Sequence, residues 1–254
     1  MINPRFVEAG NNSLSNEWLS FSRLHALMFW KKNILYSRIP GANCREIKKV
    51  LFRENGLSEG WPEEAYDMND AYFAARPRDV AAINGSFAVV QHPVIRAFSI
   101  PSNLMKDRDG CASTWKEMTG RDWREFTMSQ LLIELKKRKD LLVASHWWCP
   151  QELCLYLYPE SYTRMFKQES AEDLTWWLGE NGIQASSESL KNAAVELDTQ
   201  NLPSRTERGS TPLGEIDTEE LPTKGLLELS LDAEVYCLVQ ELYEVDARLY
   251  AKAI

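Results

Sequence analysis

Near its N-terminus the chain reads Asn33-Ile34-Leu35-Tyr36-Ser37-Arg38-Ile39-Pro40-Gly41-Ala42-Asn43. A short apolar run that stops at a proline and at turn-forming residues is typical of a β-strand. The following residues, 45–54, place Ile47, Val50 and Leu51 on one face, which is the spacing of an amphipathic helix. A strand, a tight turn and a helix in this order begin an α/β unit, and such a turn presents backbone N–H groups to an anion.

The rest of the chain continues this alternation of strand and helix. The run Ser86-Phe87-Ala88-Val89-Val90 is almost uniformly apolar, as expected for a parallel strand that helices cover on both faces. Helices are predicted over 94–100, 123–137 and 171–179, a polar loop over 106–122, and a last helix with an apolar stripe from Leu231 to Leu249. The sequence therefore predicts a three-layer α/β domain with a short parallel sheet flanked by helices, and a ligand at the carboxyl ends of the strands.

Composition indicates a single soluble domain over residues 1–254. Hydrophobic residues make up 44% of the chain and charged residues 26%, which is too apolar for general disorder. Residues 195–222 combine prolines and glycines with many Ser, Thr, Asp and Glu residues, and this composition predicts a long flexible loop or lid. The formal charge is 29 − 37 = −8, which disfavours bulk binding to nucleic acid or to an anionic membrane.

Membrane segments, metal sites and several common enzyme motifs are not evident in the sequence. No run of 18 apolar residues occurs, and residues 1–16 lack the hydrophobic stretch of a signal peptide. The odd set of five cysteines has no metal-site spacing, and three histidines are too few for a histidine-rich metal centre. Nucleotide-triphosphate, dinucleotide and serine-hydrolase glycine motifs are likewise missing. We expect reduced thiols, no metal ion and a cytoplasmic location.

Four segments, in this order, resemble the sulfotransferase superfamily, in particular its carbohydrate sulfotransferase-like branch. The family's loop Pro-Lys-x-Gly-x-Thr/Ser corresponds to the stretch from Pro40 to Arg45, and its segment Val-Val-Arg-x-Pro-x-x-Arg-x-x-Ser to Val89-Val90-Gln91-His92-Pro93-Val94-Ile95-Arg96-Ala97-Phe98-Ser99. Its His-Trp-x-Pro-Gln element corresponds to His146-Trp147-Trp148-Cys149-Pro150-Gln151, which has one inserted cysteine. Its closing helix is similar to the stretch from Leu242 to Tyr250. The resemblance spans about residues 33–251.

The resemblance implies a P-loop-like sulfotransferase fold and a cofactor, 3′-phosphoadenosine 5′-phosphosulfate (PAPS), which is released as adenosine 3′,5′-bisphosphate (PAP). It implies that the backbone around the 5′-phosphate belongs to Gly41, Ala42, Asn43, Cys44 and Arg45. It places Gln91 and Ser99 near the 3′-phosphate. The acceptor would be a hydroxyl compound, for example a carbohydrate, and the sequence leaves both its identity and the oligomeric state open.

Two positions depart from the family pattern where that pattern is charged. Gly41 stands where the family has the lysine that contacts the 5′-phosphate, and Gln91 stands where it has the 3′-phosphate arginine. Candidate replacement cations are Arg38, Arg45, Lys48, Arg205 and Arg208. A PAPS-dependent sulfotransferase and a non-catalytic protein of the same fold, which binds a partner or an altered ligand, are therefore both open. An enzyme that uses a different anionic donor is a third alternative.

The candidate catalytic base is His146, because sulfuryl transfer to a hydroxyl requires a group that removes the acceptor proton near neutral pH. The alternative is a histidine that holds the aromatic loop around Trp147. His92, at a strand end, and His25, in an aromatic segment, are expected to be structural. The pairs Trp147-Trp148 and Trp176-Trp177 suit stacking on a sugar or packing in the core.

Overall fold

The computed structural model describes residues 17–57, 70–191, 202–204, 206, 209–216 and 223–254, without the side chains of 17–20, 70 and 71. It shows an α/β chain in which helices flank a small four-stranded mixed sheet. The chain divides into two compact units. Unit 1 comprises the residues up to Gln91 together with Gln151–Ala194 and Leu249–Ile254, and unit 2 comprises His92–Pro150 and Val195–Arg248.

Unit 1 contains the sheet, whose strands are β1 (Ala26–Phe29), β2 (Ile34–Ser37), β3 (Gly85–Val90) and β4 (Arg164–Lys167), in the spatial order β1-β2-β3-β4. The strand β1 runs antiparallel to β2, while β3 runs parallel to both β2 and β4. Every residue of the first three strands is buried, which explains their continuous apolar sequence. Phe87, at the centre of β3, stacks on Tyr36 and contacts Phe166 and Trp177.

The helices of unit 1 are α1 (Glu17–Leu24), α2 (Cys44–Glu54), α3 (Asp70–Phe73), α4 (Pro77–Val80), α9 (Ala171–Glu180) and α10 (Ser187–Leu190). Short 3₁₀ turns occupy Gln151–Cys154 and Pro159–Ser161. The helix α2 buries Ile47, Val50 and Leu51, as its spacing predicts. The turn between β2 and α2 is thus fixed at both ends by buried apolar side chains.

Unit 2 is helical and contains α5 (Pro93–Met105), α6 (Cys111–Thr119), α7 (Met128–Lys137), α8 (Lys139–Leu142), α11 (Thr223–Ser230) and α12 (Ala233–Leu242). The helix α13 (Glu244–Lys252) begins in unit 2 and ends in unit 1. Further 3₁₀ turns lie at Arg108–Gly110, Trp123–Glu125 and Leu213–Glu215. Trp115 and Trp148 are fully buried and meet edge to face with ring centroids 6.1 Å apart. Aromatic and leucine side chains therefore build the core of this unit.

The α/β class is confirmed, but the prediction of a purely parallel sheet is wrong. The strand β1, which was not predicted, pairs antiparallel with β2 through a tight connection that contains Asn33 at φ 52°. A short connection can join only antiparallel neighbours, because a parallel pair needs a longer crossover. The short strand β4 was also missed, since its four residues alternate only weakly between exposed and buried positions.

Three predicted element boundaries are also wrong. The helix α5 continues past Pro101 to Met105, and residues 111–119 form α6 instead of a loop. The predicted last helix, from Leu231 to Leu249, is instead two helices. Asp232 accepts a hydrogen bond from the Val235 N–H and starts α12. A break at Tyr243 separates α12 from α13.

The predicted lid, 195–222, falls mostly outside the described residues. Within its described part, Leu213 is fully buried and its N–H donates to the carbonyl of Phe126 in unit 2. Ile216 is buried as well. Across the ranges that the structure describes, no helix has the length and apolar character needed to cross a membrane.

Candidate functional site

The turn between β2 and α2 contains two residues in the left-handed backbone conformation, and both are residue types that suit it. Gly41 has φ 89° and Asn43 has φ 53°, and both values belong to the left-handed region. Glycine enters this region without a steric penalty, and asparagine enters it more readily than most other residues. Ala42 is buried, and its N–H donates to the carbonyl of Ile39 at 3.0 Å. The turn is therefore closed on itself before α2 begins at Cys44.

The side chain of Asn43 anchors this turn to two other segments of unit 1. Its Nδ2 donates to the carbonyl of Gln168 at 3.0 Å and to that of Leu190 at 2.8 Å. In return the Nε2 of Gln168 lies 3.3 Å from the Asn43 Oδ1. Asn43 is 3% exposed, so these contacts take place away from solvent. Its side chain thus holds the loop in shape.

Gln91 directly follows β3, and the side chain of Gln151 bridges its backbone. The Gln91 N–H donates to the Gln151 Oε1 at 2.8 Å, and the Gln151 Nε2 donates to the Gln91 carbonyl at 2.8 Å. Gln151 is completely buried and belongs to the His-Trp-x-Pro-Gln element of the sequence. This pair of hydrogen bonds fixes the direction in which Gln91 leaves the sheet.

The side chain of Gln91 points to the turn at Gly41. A Cβ atom built on Gly41 would lie 3.3 Å from the Gln91 Oε1 and 3.9 Å from its Nε2. Gln91 is 5% exposed, and its buried Oε1 has no hydrogen-bond partner among the described residues. A buried amide oxygen without a hydrogen-bond partner is unfavourable by about 1–3 kcal/mol. The Gln91 Oε1 therefore lacks a donor that would stabilise it. The structure thus brings the two departures from the family pattern into contact.

The candidate replacement cations of the sequence have different surroundings. The Arg38 Nη2 lies 3.3 Å from the Nδ1 of His25, and Arg45, on the first turn of α2, is exposed. Lys48 is 1% exposed, which makes it a buried cationic side chain of α2. Arg205 and Arg208 lie outside the described residues.

Unit 2 carries the remaining predicted site residues, Ser99 and His146. The Ser99 hydroxyl donates to the carbonyl of Arg96 within α5, at 2.7 Å. The Arg96 guanidinium is 1% exposed and donates from Nε and Nη2 to the carbonyl of Cys149, at 3.1 and 2.7 Å. Its Nη2 also donates to the carbonyl of His146 at 3.0 Å. One buried arginine therefore fixes the backbone of the loop that presents His146.

The imidazole of His146 is paired with a carboxylate. Its Nε2 lies 3.0 Å from the Asp109 Oδ2, and the same oxygen accepts the indole N–H of Trp147 at 2.9 Å. The guanidinium of Arg108 lies 4.9 Å from the centre of the Trp147 ring. The His146 side chain is 25% exposed, so it remains accessible while held by its neighbour. A partly exposed histidine beside a carboxylate can accept a proton from a bound hydroxyl.

The tryptophan pairs are divided between core and surface. Trp148 is fully buried and its indole N–H donates to the carbonyl of Leu141 at 2.7 Å, while Trp177 packs on Phe87. Trp176 is 66% exposed. Trp148 and Trp177 are therefore core residues, Trp176 lies at the surface, and Trp147 is half-buried against the core of unit 2.

The other two histidines hold local structure. The Nδ1 of His92 accepts the Val94 N–H at 3.2 Å, which caps the N-terminus of α5. Burial lowers the pKa of His92 to about 4, so its ring is neutral at pH 7 and keeps the lone pair that the cap needs. His25 is 2% exposed and packs on the ring of Phe21.

Three residues of these arrangements were not singled out as site residues from the sequence. Arg96 and Gln151 both stand within motifs quoted from the sequence, and both are buried. Their place inside those motifs is the feature that could have identified them. Asp109 lies 38 positions before Trp147 in a stretch predicted as a loop, so no local pattern connects it with His146.

A cavity of about 200 Å³ beside β4, lined partly by Glu160, Arg164 and Lys252, contains none of the predicted site residues. Within the described residues, no cluster of His, Cys, Asp and Glu is arranged to hold a metal ion.

Comparisons of the chain with protein-family models, with curated proteins and with solved structures gave no match.

Proposed function

We propose that this protein transfers a sulfuryl group from PAPS to the hydroxyl of an acceptor. The observation that carries the proposal is the buried Oε1 of Gln91, which has no hydrogen-bond partner among the described residues and lies beside the turn at Gly41. This turn leads into the N-terminus of α2 and is the segment that the family resemblance assigns to the 5′-phosphosulfate.

The turn has several features that favour an anion. The helix α2 is 11 residues long, and its N-terminus carries a partial positive charge of about half an elementary charge. Gly41 has no side chain to block the approach of a phosphate to the backbone. A half-turn of the Gln91 amide exchanges Oε1 and Nε2, and then brings N–H donors to the position beside Gly41. We therefore assign Gln91 to the 5′-phosphate instead of the 3′-phosphate.

The expected affinity is lower than that of a site with lysine and arginine. A hydrogen bond to a charged donor contributes about 1.5–3 kcal/mol, whereas a neutral one contributes about 0.5–1.5 kcal/mol. Gly41 removes one charged donor outright and Gln91 replaces the other by a neutral one, which together weaken binding by about 2.5–4.5 kcal/mol, or about 70- to 2,000-fold in the dissociation constant. Lys48 and Arg45 on α2 offset part of this loss through their charge.

The chemistry is a direct in-line displacement. The acceptor oxygen bonds to sulfur while the bond between sulfur and the bridging oxygen of the nucleotide phosphate breaks. The proton of the acceptor hydroxyl passes to His146, and the electron pair of the broken bond leaves with PAP. The resemblance assigns the backbone from Gly41 to Arg45 to the departing phosphate, whose developing charge N–H groups of this loop would stabilise. The Ala42 N–H, which donates to the Ile39 carbonyl, is not one of them. Ser99 would bind the 3′-phosphate through a hydroxyl that now donates within its own helix.

One observation favours the second function, a non-catalytic protein of this fold. The Gln91 side chain fills the space beside Gly41, which is the space that a ligand oxygen would need. If this side chain closes the loop permanently, the protein binds a partner or another ligand and transfers nothing. Only the enzyme releases PAP together with a sulfated product.

Calorimetric titration with PAP tests the proposal. We expect micromolar binding, at least fivefold weaker binding for Gln91→Leu, and tighter binding for Gln91→Arg. The matched control is Gln240→Leu, which makes the same change on α12 in unit 2 and should leave the affinity unchanged. Binding by the wild-type protein then justifies a screen of hydroxyl acceptors, with PAP release as the readout.

A lack of PAP binding at millimolar concentration would refute the sulfotransferase proposal. Equal affinities for wild-type, Gln91→Leu and Gln91→Arg proteins would show that the nucleotide binds elsewhere. Binding of PAP without any transfer to acceptors would favour the non-catalytic alternative.

A further inference from the structure

We propose that the outer edge of β4 binds an extended peptide of a partner protein, with an acidic side chain of that peptide paired to Arg164. Three observations carry the proposal: a free strand edge, a cavity beside that edge, and an arginine without a partner. The cavity contains none of the residues assigned to the PAPS reaction, so the proposal stands independently of that reaction.

The strand β4 is the last in the order β1-β2-β3-β4, so within the described residues one of its edges has no neighbouring strand. The Gln168 N–H donates to the Val90 carbonyl of β3 at 2.9 Å. In a strand, the backbone groups of successive residues point to opposite edges. The backbone groups of residues 164, 166 and 168 therefore face β3, and those of residues 163, 165 and 167 face outward.

Ile254 shows that this outer edge accepts an extended chain. Its N–H donates to the Met165 carbonyl at 3.0 Å, and its carbonyl accepts the Lys167 N–H at 2.7 Å. The same pair of groups recurs one step earlier on the edge, as the Thr163 carbonyl and the Met165 N–H, and no described residue bonds to either. The chain itself does not continue the pairing, because α13 extends to Lys252 and is helical. An extended peptide can take this place by β-augmentation.

The cavity of about 200 Å³ lies against this part of the edge. Thr163, Arg164 and Met165 all line it, so a peptide paired to the edge would have room for a side chain beside its backbone. Ile254, which is 49% exposed, adds an apolar wall. The edge and the cavity therefore form one continuous surface.

The charge of the cavity favours an acidic side chain. Arg164 is exposed, and its guanidinium makes no hydrogen bond or ion pair with any described residue. Lys252 and Glu160 pair with each other at 3.2 Å, so their charges offset. The side chains that line the cavity have a net charge of 2 − 1 = +1, in a chain whose formal charge is −8. The unbalanced charge is that of Arg164.

The register of the edge places a bound residue opposite this arginine. Arg164 stands between Thr163 and Met165, so the peptide residue that is centred on their free groups lies across from Arg164 with its side chain on the same face of the sheet. A carboxylate in that position can accept two parallel hydrogen bonds from the guanidinium. We therefore expect glutamate or aspartate at this position of the peptide.

The same register disfavours a second copy of this chain as the occupant. A two-fold pairing that uses the Thr163 carbonyl and the Met165 N–H of both chains would place the two Arg164 side chains directly opposite each other. Like charges that face each other across paired strands are destabilising. An arginine here thus protects the edge against self-association and leaves it open to an acidic peptide.

Fluorescence anisotropy with labelled peptides tests the proposal. The probe is Thr-Val-Thr-Glu-Thr-Val-Thr with blocked ends and a neutral fluorophore, because β-branched residues favour an extended backbone and the glutamate supplies the only charge. Two matched peptides have glutamine or lysine in place of the glutamate. A fourth peptide carries N-methyl groups on the glutamate and on the next residue, which removes the N–H that the Thr163 carbonyl would accept in either strand direction.

We expect the wild-type protein to bind the glutamate peptide with a Kd of about 0.1–1 mM, about threefold more tightly than the glutamine peptide and about tenfold more tightly than the lysine peptide. The N-methylated peptide should bind about tenfold more weakly than its parent, and the Met165 amide signal should shift in NMR spectra when the parent binds. Arg164→Gln should bind the glutamate and glutamine peptides equally. Arg164→Glu should prefer the lysine peptide, whereas the control Lys116→Glu, a charge reversal at an exposed residue of α6, should keep the wild-type order.

Several results would overturn the proposal. Equal binding of the glutamate and lysine peptides by the wild-type protein, or an unchanged order in Arg164→Glu, would refute the charge pairing. Equal binding of the N-methylated peptide would refute pairing on the strand edge. No binding of the glutamate peptide at millimolar concentration would refute the peptide site as a whole. A wild-type dimer in which the Met165 amide is protected from hydrogen exchange would assign the edge to a second copy instead.

Discussion

The substitution Gln151→Met should destabilise unit 1 because it removes both hydrogen bonds to the backbone of Gln91. Gln151 is 0% exposed, and both bonds measure 2.8 Å. Methionine has almost the same volume, so no large cavity forms and the effect comes from the two backbone groups left without partners. Each such buried group is unfavourable by about 1–3 kcal/mol. We therefore expect the free energy of unfolding to fall by about 2–6 kcal/mol.

The assay is denaturant unfolding followed by tryptophan fluorescence, together with hydrogen exchange of the Gln91 amide. A loss of about 2–6 kcal/mol lowers Tm by about 4–24 °C in a chain of this size. The Gln91 N–H should exchange much faster in the variant, because its acceptor has gone. The control Gln240→Met, on the half-buried face of α12, should change the free energy of unfolding by less than about 1 kcal/mol.

PAP binding connects this prediction with the proposed function. The direction of the Gln91 side chain depends on its backbone, so Gln151→Met should also weaken PAP binding. A loss of less than about 1 kcal/mol with an unchanged exchange rate at Gln91 would refute the reasoning about the bridged backbone. A loss of stability with unchanged PAP affinity would instead refute the position assigned to Gln91 in the binding loop.

Three further changes test other parts of the structure. The pKa of His92, lowered to about 4, means that the folded state keeps the ring neutral, so stability is full above pH 6.5 and declines as the pH falls towards 4. The pKa shift corresponds to at most about 3 kcal/mol of stability, and to less because the ring is partly exposed. The variant His92→Asn retains a cap acceptor that does not titrate, so its free energy of unfolding should depend less on pH in denaturant unfolding. An identical pH dependence in the two proteins would contradict the assignment. Gly41→Ala should lower stability by about 1–2 kcal/mol because alanine at φ 89° is strained, as thermal unfolding will show, whereas an unchanged Tm would contradict this backbone. For the same reason, Gln91→Arg alone should tighten PAP binding more than Gln91→Arg combined with Gly41→Lys, and a tighter double variant in calorimetry would show that the loop adapts.

The parts of the fold that could be predicted from the sequence are those fixed by local signals. The strand that ends at Pro40 and the helix that follows it were predicted within a few residues, because an apolar run, a turn and an amphipathic repeat stand side by side. The strand β3 was predicted because six buried residues in succession leave a clear apolar run. These elements also position the candidate loop, so its place at the end of a strand followed from sequence alone.

The elements that were missed depend on partners far away in the chain. The four residues of β1 and of β4 become strands only through pairing with β2 and β3, and periodicity is not measurable over such short lengths. The helix through Pro101 shows the opposite case, in which a strong local signal for a break is overridden. Pro101 is buried inside α5, and burying its ring favours the folded helix although a proline cannot donate the backbone hydrogen bond.

The candidate site likewise has one part that local sequence predicts and another that depends on contacts between distant residues. The residue types at positions 41, 91 and 146 can be read from the sequence. The proximity of Gly41 to the Gln91 side chain depends on the tertiary structure, so the sequence does not reveal it. Taken separately, Gly41 and Gln91 each lack one charge that the sulfotransferase resemblance would imply at that position. Taken together, they form one arrangement, because a lysine at position 41 would carry a Cβ atom 3.3 Å from the Gln91 Oε1. The two departures are therefore sterically coupled.

This coupling makes the two open functions separable by structure as well as by assay. If the Gln91 amide serves a phosphate, it must turn or move when the ligand arrives, because its Oε1 now lies where a ligand oxygen would be repelled. If the Gln91 amide permanently fills the space beside Gly41, it stays there when PAP is added. Gln91→Ala opens the space in both cases and leaves the Gln151 bridge to the backbone intact. An enzyme loses affinity for PAP in this variant through the missing donor, whereas a loop that had been closed gains an anion site that the wild-type protein lacks.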